Sequence, residues 1–479
     1  MNIQLNRTVL TGDSAIHKFL AGRDIWNEYV EQYPEANVDF SGVDFSGASA
    51  MTDFFNFLFP KKGDVDFSGA IFGSKGVDFS GAIFGEGHVD FSGTNFGGGR
   101  AAFSGTSFGD GWVIFRHSTF GGGDVDFSDA MFGAGTVDFS NTKFADGVVD
   151  FSGATFGAGT VDFSNTKFAD GDVDFSGVMF GDGMVDFTDT TFSEGMVDFT
   201  NAGFGDGGVS FNGASLSKGL ISFVKVTFGD VDLAGAFFGD VAMDFKYARF
   251  LGHADFSQIN KASNISSLSF RHCVFERSLD LSDNRFSCIP DLTNTKLTYQ
   301  VSLDGLVCKA RIGEEGIPDL KDGDRLCRLK EIAESNKNHS QALDFHIQEM
   351  RVKRHTLSGL NWFIDTIFDG VSEYGRSVTK PLRWLVRSWY LFGLMYSCLS
   401  IYGDPFKSGI EYFWSAFLFS TAQIVPFVAV SRATSKSSAE ALFGSDIPHY
   451  VFTASLVQGL ISFVLLFLVG LALRNRFRI

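Results

Sequence analysis

Phenylalanine recurs every 12 residues from Phe67 to Phe223, and a second series follows five residues behind the first, from Phe72 to Phe228. Only Leu216 interrupts the second series. The consensus of the unit is V-D-F-S-G-A-x-F-G-x-G-x, which explains why the chain of 479 residues has 56 Phe and 55 Gly. A strict short period over fourteen units predicts stacked supersecondary units that share one core, not an ordinary globular fold.

Each unit resembles two pentapeptide repeats, with Val65, Phe67, Ala70 and Phe72 at the inward positions of one such pair. The resemblance to the pentapeptide-repeat family implies a right-handed quadrilateral β-helix with one pentapeptide on each face. This chain departs from the family by adding a Gly-rich two-residue step after every second pentapeptide. We therefore expect two 12-residue units to form one 24-residue coil, with the step glycines at widened corners that need φ > 0.

Repeat-like sequence extends beyond the strict register. Tandem pentapeptides occupy 38–47, and apolar pairs five residues apart continue to Leu292 and Leu297. The sequence thus predicts a cytosolic β-helix over 38–305. Within 1–37, a helix with Ile16, Phe19 and Leu20 on one face is expected to cover the open strand edges of the first coil.

The formal charge of the chain is −17, and nearly all of it lies in the repeat, where Asp precedes the central Phe in ten of the fourteen units. This balance argues against general nucleic-acid binding, which needs basic residues. We interpret the acidic rows as a solvated face that keeps the β-helix soluble. Two alternatives stay open: mimicry of DNA, as in some topoisomerase-binding pentapeptide-repeat proteins, and calcium binding in turns such as Gly181-Asp182-Gly183.

The sequence predicts neither catalysis nor a cofactor or metal site. It has no nucleotide-binding Walker loop, no HExxH and no nucleophile elbow, and its five cysteines are far apart without a CxxC pair. The N-terminus lacks the apolar run of a signal peptide, so we expect the β-helix to stay in the cytosol.

A helical linker is predicted over 306–379. The spacing of apolar residues predicts an αα-hairpin, with Leu326, Leu329 and Ala333 on one helix and Leu343, Ile347 and Met350 on the other. The second helix ends in Arg351, Lys353 and Arg354. This basic end either faces its own helix dipole and anionic lipid or binds an anionic ligand. An amphipathic segment over 360–368 is expected to lie at a membrane interface.

Two apolar segments, 382–402 and 447–473, have the length of membrane spans and define a membrane domain over 380–479. Basic residues flank them on one side only: Lys380, Arg383 and Arg387 at the first, and Arg474, Arg476 and Arg478 at the second. The positive-inside rule places both termini in the bacterial cytoplasm, with two spans in the inner membrane.

The apolar stretch 412–427 between the spans predicts a re-entrant pore helix. A third full span would place the C-terminal arginines outside the cytoplasm, against the positive-inside rule. Span, re-entrant helix and span resemble the two-span pore module of tetrameric cation channels, and 416–421 is similar to the end of their pore helix. The following Thr421-Ala422-Gln423-Ile424-Val425 lacks the glycines of a potassium filter, so potassium selectivity is not implied.

The chain as a whole resembles bacterial pentapeptide-repeat proteins with an ion-channel-like C-terminus. This resemblance and the polarity of the segments predict three sets of site residues. Ser420, Thr421, Gln423, Ile424 and Gln458 line the pore, with a neighbouring helix as the alternative for Gln458; Gly459, Phe463 and Leu466 form the gate, with helix packing as the alternative for Gly459; and Arg351, Lys353 and Arg354 form the ligand site.

The resulting hypothesis is a homotetrameric ion channel of the inner membrane that is gated from its cytosolic β-helix. Its architecture resembles membrane effectors of anti-phage defence (Hailong-type systems), which depolarise the cell under control of a nucleotide or oligonucleotide. That resemblance implies membrane lipid, an anionic nucleotide ligand and a cognate defence protein as partners. The alternative hypothesis is a membrane-anchored interaction scaffold without a pore.

Overall fold

The structure is a computed structural model that describes residues 9–310, 319–403, 409–425, 428–445 and 447–477. The chain forms two compact units, Met1–Asn336 and Lys337–Ile479. The first unit is a β-solenoid followed by one helix, and the second unit is helical.

One coil of the solenoid takes 24 residues, as the sequence predicted. Val65 pairs in parallel with Val89, and Val77 pairs with Ala101 on the opposite face. Bridges Ile71–Asn95 and Ile83–Ser107 close the two remaining faces. Each coil is therefore four-sided, and every face continues into the coil above through parallel pairing.

The strands are mostly two residues long. The first ladder contains Val9–Thr11, Asn37–Asp39, Val65–Asp66, Val89–Asp90, Val113–Ile114, Val137–Asp138, Val161–Asp162, Val185–Asp186, Val209–Ser210, Val231–Asp232, Ala254–Asp255, Leu279–Asp280 and Val301–Ser302. The second sheet contains Thr52–Asp53, Val77–Asp78, Ala101–Ala102, Val125–Asp126, Val149–Asp150, Val173–Asp174, Val197–Asp198, Ser215–Ser222, Phe237–Asp244, Ser267–Ser269, Thr191–Phe192, Lys167–Phe168, Lys143–Phe144 and Thr119–Phe120. Smaller ladders contain Met131–Phe132 with Thr155–Phe156, then Thr227–Phe228, Arg249–Phe250, Val274–Phe275 and Lys296–Leu297, and lastly Arg285–Phe286 with Val307–Cys308. A 3₁₀ turn spans Ala262–Asn264.

Stacked phenylalanine rings fill the solenoid. Phe151 is fully buried, and its ring lies parallel to Phe127 at 4.8 Å and to Phe175 at 5.1 Å, in the coils on either side. Phe139, from the opposite face, meets it edge to face at 5.5 Å. Burial of these rings is the main stabilising contribution, and the stacked and edge-to-face geometries add to it.

Each Asp before a central Phe forms a turn as well as facing solvent. The Asp150 Oδ1 accepts a hydrogen bond from the Ser152 backbone N at 2.7 Å, and Asp162 does the same with Ser164. The acidic rows are therefore Asx turns that fix each corner of the coil. Among the described residues, no group of three His, Cys, Asp or Glu side chains is placed to hold a metal ion.

We expected the step glycines to be required because their backbone adopts positive φ, and for most of them this expectation is wrong. Positive φ occurs mainly at the residue after Phe-Ser, as at Gly153 (φ 68°), and Asn165 adopts it at the equivalent position (φ 56°). Gly159 in the step has no positive φ, but a Cβ there would lie 2.1 Å from the carbonyl O of Gly135 in the preceding coil. Glycine is needed in the step because successive coils bring their backbones into direct contact.

Two helices, α1 (Gly12–Leu20) and α2 (Arg23–Gln32), cover the first coil. The Phe19 ring on α1 stacks on Phe54 at 4.5 Å, and the Trp26 Nε1 on α2 donates to the Leu58 carbonyl O at 2.7 Å. Phe19 of the predicted apolar face thus continues the phenylalanine stack at its open end, whereas Leu20, expected on the same face, is exposed.

Helix α3 (Asp322–Ser335) belongs to the solenoid unit, although the sequence assigned it to the linker. Its Arg325 pairs with Asp291 at 3.3 Å, and Arg328 donates to the Thr295 carbonyl O at 3.2 Å. The Asn336 side chain just after it donates to the Val301 carbonyl O at 2.5 Å. These polar contacts to the last coils explain the placement.

The second unit contains six helices among the described residues: α4 (His339–Arg354), α5 (Gly359–Ser372), α6 (Thr379–Gly403), α7 (Ile410–Ile424), α8 (Ala429–Phe443) and α9 (His449–Arg476). A buried cluster joins the last four of them through Tyr396, Ala416, Phe419, Ala439, Leu442 and Val451. By length and composition, α9 is the one helix in the described part of the chain that is apolar enough to cross a membrane. The predicted first span is helical in α6, but its role as a span stays a prediction.

The contact between coils gives a test at two glycines. Gly159→Ala should lower the stability of the solenoid by about 1–3 kcal/mol, because its methyl group forces neighbouring coils apart. Gly122→Ala is the matched control, since nothing lies within 4 Å of a Cβ there. Thermal unfolding of the full chain followed by circular dichroism measures both. Equal melting temperatures for the two variants would contradict the backbone-contact explanation.

Candidate functional site

Gln458 on α9 lies at the centre of a polar network inside the helical unit. Its side chain is fully buried, and its Nε2 donates to the Ser420 Oγ at 2.7 Å and to the Ser420 carbonyl O at 3.0 Å. Its Oε1 accepts from the Tyr396 hydroxyl at 3.0 Å. The Ser420 hydroxyl in turn donates to the Trp389 carbonyl O at 2.9 Å. The network connects α6, α7 and α9 and satisfies polar groups that would be costly if unpaired in an apolar interior.

The other predicted pore-lining residues also lie on α7. The Thr421 Oγ1 accepts from the Trp389 Nε1 at 2.9 Å and donates to the Phe417 carbonyl O at 2.8 Å. The Gln423 Nε2 donates to the Ser435 Oγ on α8 at 2.8 Å, and Ile424 is half-buried at the last residue of α7. In a single chain these polar side chains hold α7 against its neighbours, and their pore-lining role stays a prediction.

The predicted gate residues lie along α9. Phe463 is 58% exposed, Leu466 is half-buried, and a Cβ at Gly459 would have nothing within 4 Å. Phe463 shares an exposed apolar face with Leu460 and Phe467. This face is suited to contact lipid or a second copy of the chain.

Helix α8 is the part of this unit that the sequence reasoning missed. Its buried or half-buried side chains Ser435, Ser438, Ala439 and Leu442 recur at i, i+3, i+4 and i+7, which is the helical period that could have revealed it. The segment is also rich in Ser and charged residues, which makes this period hard to recognise in the sequence. A cavity of about 380 Å³ lies between α7, α8 and α9, with Gln423, Ser431, Arg432, Ser435, Lys436 and Ser455 among its lining residues.

The predicted ligand cluster at the end of α4 is neutralised by acidic side chains within the same unit. Arg354 pairs with Asp365 at 2.5 Å and with Asp369 at 2.8 Å, and Arg351 pairs with Asp369 at 2.9 Å. Lys353 pairs with the largely buried Glu349 at 2.6 Å. An anionic ligand would have to displace these carboxylates, and breaking the ion pairs would lower its binding free energy. Ligand binding at this cluster stays a prediction.

The protonation equilibria follow this pairing. Partial burial favours the neutral forms of Arg354 and Asp369, but their hydrogen bonds outweigh it, so the pKa of Arg354 is raised and the pKa of Asp369 is lowered. Burial, and then the hydrogen bond that Tyr374 donates to Asp365, raise the pKa of the Tyr374 hydroxyl to about 12. Arg354 and Asp369 are therefore charged at neutral pH, and the Tyr374 hydroxyl keeps the proton that it donates to Asp365.

A left-handed turn connects this cluster to the end of α9. Glu373, Tyr374 and Gly375 have φ values of 49°, 52° and 82°, and left-handed backbone is unfavourable for the first two residues. The Tyr374 hydroxyl accepts from Arg354 at 2.6 Å, and the Asn475 Nδ2 on α9 donates to the Gly375 carbonyl O at 3.1 Å. Changes at the end of α4 therefore have a bonded route to the C-terminal end of α9.

Comparisons with known proteins found similarity only to solved structures, and only over part of the chain. No family model and no curated protein matches the sequence. Two solved structures of trypsin-treated QnrB1, a plasmid-mediated fluoroquinolone resistance protein, are similar to part of the chain at 15% and 16% identity. They cover 48% and 47% of this chain and 82% and 89% of their own, with TM-scores of 0.17 and 0.12. The assignment of a pentapeptide-repeat β-solenoid rests on the register of this chain's own strands.

The buried network gives a second test. Gln458→Leu should lower the stability of the helical unit by about 1–3 kcal/mol, because it removes three hydrogen bonds and leaves the Tyr396 hydroxyl buried without its acceptor. Ser462→Ala is the control on the same helix, because the buried Ser462 Oγ forms no hydrogen bond with any described residue. Unfolding in detergent followed by tryptophan fluorescence measures both. A control that destabilises as much as Gln458→Leu would show that the network is not the cause.

Proposed function

We propose that this chain is an ion channel of the bacterial inner membrane, assembled from four copies and controlled by its cytosolic solenoid. The observation that supports the proposal is the distribution of polarity in the helical unit. The interior side chains Ser420, Gln423 and Gln458 are hydrogen-bonded, the exposed large side chains of α7 and α9 are mostly apolar, and the exposed side of α8 carries Arg432, Lys436 and Glu440. Such a unit suits lipid on one side and water on another.

Two spans account for the long helices. At 1.5 Å per residue, the 28 residues of α9 extend about 42 Å and the 25 residues of α6 about 38 Å, and both exceed a bilayer core of about 30 Å. Lys380, Arg383 and Arg387 at the start of α6 and Arg474 and Arg476 at the end of α9 favour cytoplasmic termini. Arg478, the third cation expected there, lies outside the described residues.

A re-entrant pair accounts for the short helices. α7 and α8 have 15 residues each, about 22 Å, which is too short to cross the bilayer core. They pack on each other through Gln423 and Ser435 and share the core cluster with α6 and α9. An antiparallel pair that enters and leaves on the same side keeps both termini in the cytoplasm. Pro426 and Phe427, between the two helices, lie outside the described residues.

Two spans and one re-entrant pair cannot enclose a water-filled path, so the proposal requires several copies, and four follow from the resemblance to two-span pore modules. The apolar face around Phe463 would form the gate by excluding water when copies meet there. The contact of Asn475 with the turn at Gly375 would transmit movement of α4 and α5 to this gate.

The narrower form of the proposal is an anti-phage effector that depolarises the cell. A nucleotide or oligonucleotide would act at Arg351, Lys353 and Arg354, and a cognate defence protein would supply it. A ligand biases the gate only through different affinities for the open and closed states. Here the difference would come from breaking the ion pairs to Asp365 and Asp369. This form rests on resemblance of architecture alone.

The second candidate function is a membrane-anchored scaffold, which the long acidic surface of the solenoid favours. The two functions differ in one property, because a scaffold needs no conducting path.

Recording from the purified full chain in planar bilayers separates them. A channel gives discrete current steps, and Phe463→Ser should raise the open probability without changing ion selectivity, because a polar gate wets more easily. Phe452→Ser, a similarly exposed change near the other end of α9, is the control and should leave the open probability unchanged. Absence of current from folded, inserted protein would favour the scaffold.

A further inference from the structure

We propose that helix α8 lines the conduction path and that Arg432 and Lys436 make this path selective for small inorganic anions. The inference rests on the proposed channel function and deepens it by naming the class of ion. It also assigns the pore lining to a helix for which no role was predicted from the sequence.

Helix α8 has two unlike sides. One side packs into the unit: Ser438, Ala439 and Leu442 are buried, and the Leu442 carbonyl O accepts from the Ser400 hydroxyl on α6 at 3.1 Å. The opposite side is exposed and forms a single stripe of residues spaced i, i+1, i+4, i+5 and i+8: Arg432, Ala433, Lys436, Ser437 and Glu440.

This stripe differs from the exposed faces of the neighbouring helices. On α7 the exposed large side chains include Phe413, Trp414 and Leu418, and on α9, away from the proposed gate at Phe463, they include Val457, Ile461 and Val464. Those faces can contact lipid. A charged side chain is costly to hold among lipid chains at the bilayer centre, so the α8 stripe must face water. In a ring of copies, the water-filled place at this depth is the central path.

The sign of the charge follows from the residues on the stripe. Arg432 and Lys436 are one helical turn apart, and Glu440 is the one acid on the stripe, so each chain contributes a net positive charge. Lys436 forms no ion pair with any described residue, in contrast to Arg351 and Arg354 on α4. Rings of Lys or Arg attract anions and exclude cations from a pore.

The surroundings of the two cations also suit an anion. Arg432 and Lys436 border the cavity of about 380 Å³ together with the hydroxyl residues Ser431, Ser435 and Ser455. Hydroxyl and ammonium groups donate hydrogen bonds that replace the water around an anion. The alternative lining by Ser420 and Gln458 is less suited, because both of those side chains are fully buried within their own chain.

The test is the reversal potential of the full chain in planar bilayers under a tenfold gradient of potassium chloride. The inference predicts a reversal potential on the chloride side of zero. Lys436→Glu should move it toward the potassium equilibrium potential, and Arg432→Glu should do the same. Arg383→Glu, the same charge reversal on an exposed position of α6, is the control and should leave it unchanged.

A less disruptive variant covers the case in which the charge reversals at 432 and 436 prevent assembly. Lys436→Cys can be recorded first as it is and then after reaction with a cationic thiol reagent, which should restore the chloride preference in the same bilayer. A reversal potential on the potassium side of zero, or one that no change at 432 or 436 shifts, would overturn the inference. The proposal that the chain is a channel would still stand. Complete absence of current from inserted protein would overturn the channel proposal and this inference with it.

Discussion

The stacking of phenylalanine rings at the spacing of one coil is the interaction on which the first unit depends. A ring such as Phe151 has a parallel partner about 5 Å away on both sides, which matches the distance between hydrogen-bonded strands. The same spacing explains the other residues of the repeat. Step glycines such as Gly159 are required where backbones of successive coils touch, and aspartates such as Asp150 are required where the chain turns within a coil.

A stack of this kind has to end, and each end of the described solenoid is closed by helices of different character. At the first coil the contacts are apolar, because Phe19 and Trp26 extend the stack of aromatic rings. At the last coils, Arg325, Arg328 and Asn336 bond to side chains and carbonyl groups of the strands. Both arrangements remove strand edges that would otherwise pair with other chains.

The solenoid could be predicted from the sequence because its period is short and strict. The buried positions follow from the spacing of Phe67, Phe79 and Phe91, and the 24-residue coil follows from that period together with the four-sided coil that the resemblance to pentapeptide repeats implies. The role of the step glycines could not be predicted, because positive φ and close backbone approach both select glycine. Sequence spacing also could not show that Arg325 bonds to a strand more than 30 residues away.

The helical unit was less predictable for a related reason. The apolar segments of α6, α7 and α9 are visible in the sequence, but α8 is polar, and a polar segment between apolar ones is easily interpreted as a loop. The pairing of Arg354 with Asp365 and Asp369 was also missed, because those carboxylates lie 11 and 15 residues further along the chain. What the structure adds is which side of each helix is exposed, and this asymmetry underlies the proposed function.

The central claim is that the helical unit inserts in a bilayer with the Val464 side of α9 against lipid and α8 against water. Spin labels test it directly, at Ser437→Cys on α8 and at Val464→Cys on α9, in a variant whose exposed Cys398 has been replaced by Ser. In liposomes the account predicts that a water-soluble nickel chelate relaxes the label at 437 and that oxygen dissolved in lipid relaxes the label at 464. If both labels responded to oxygen alone, or both to the nickel chelate alone, the claim would be contradicted.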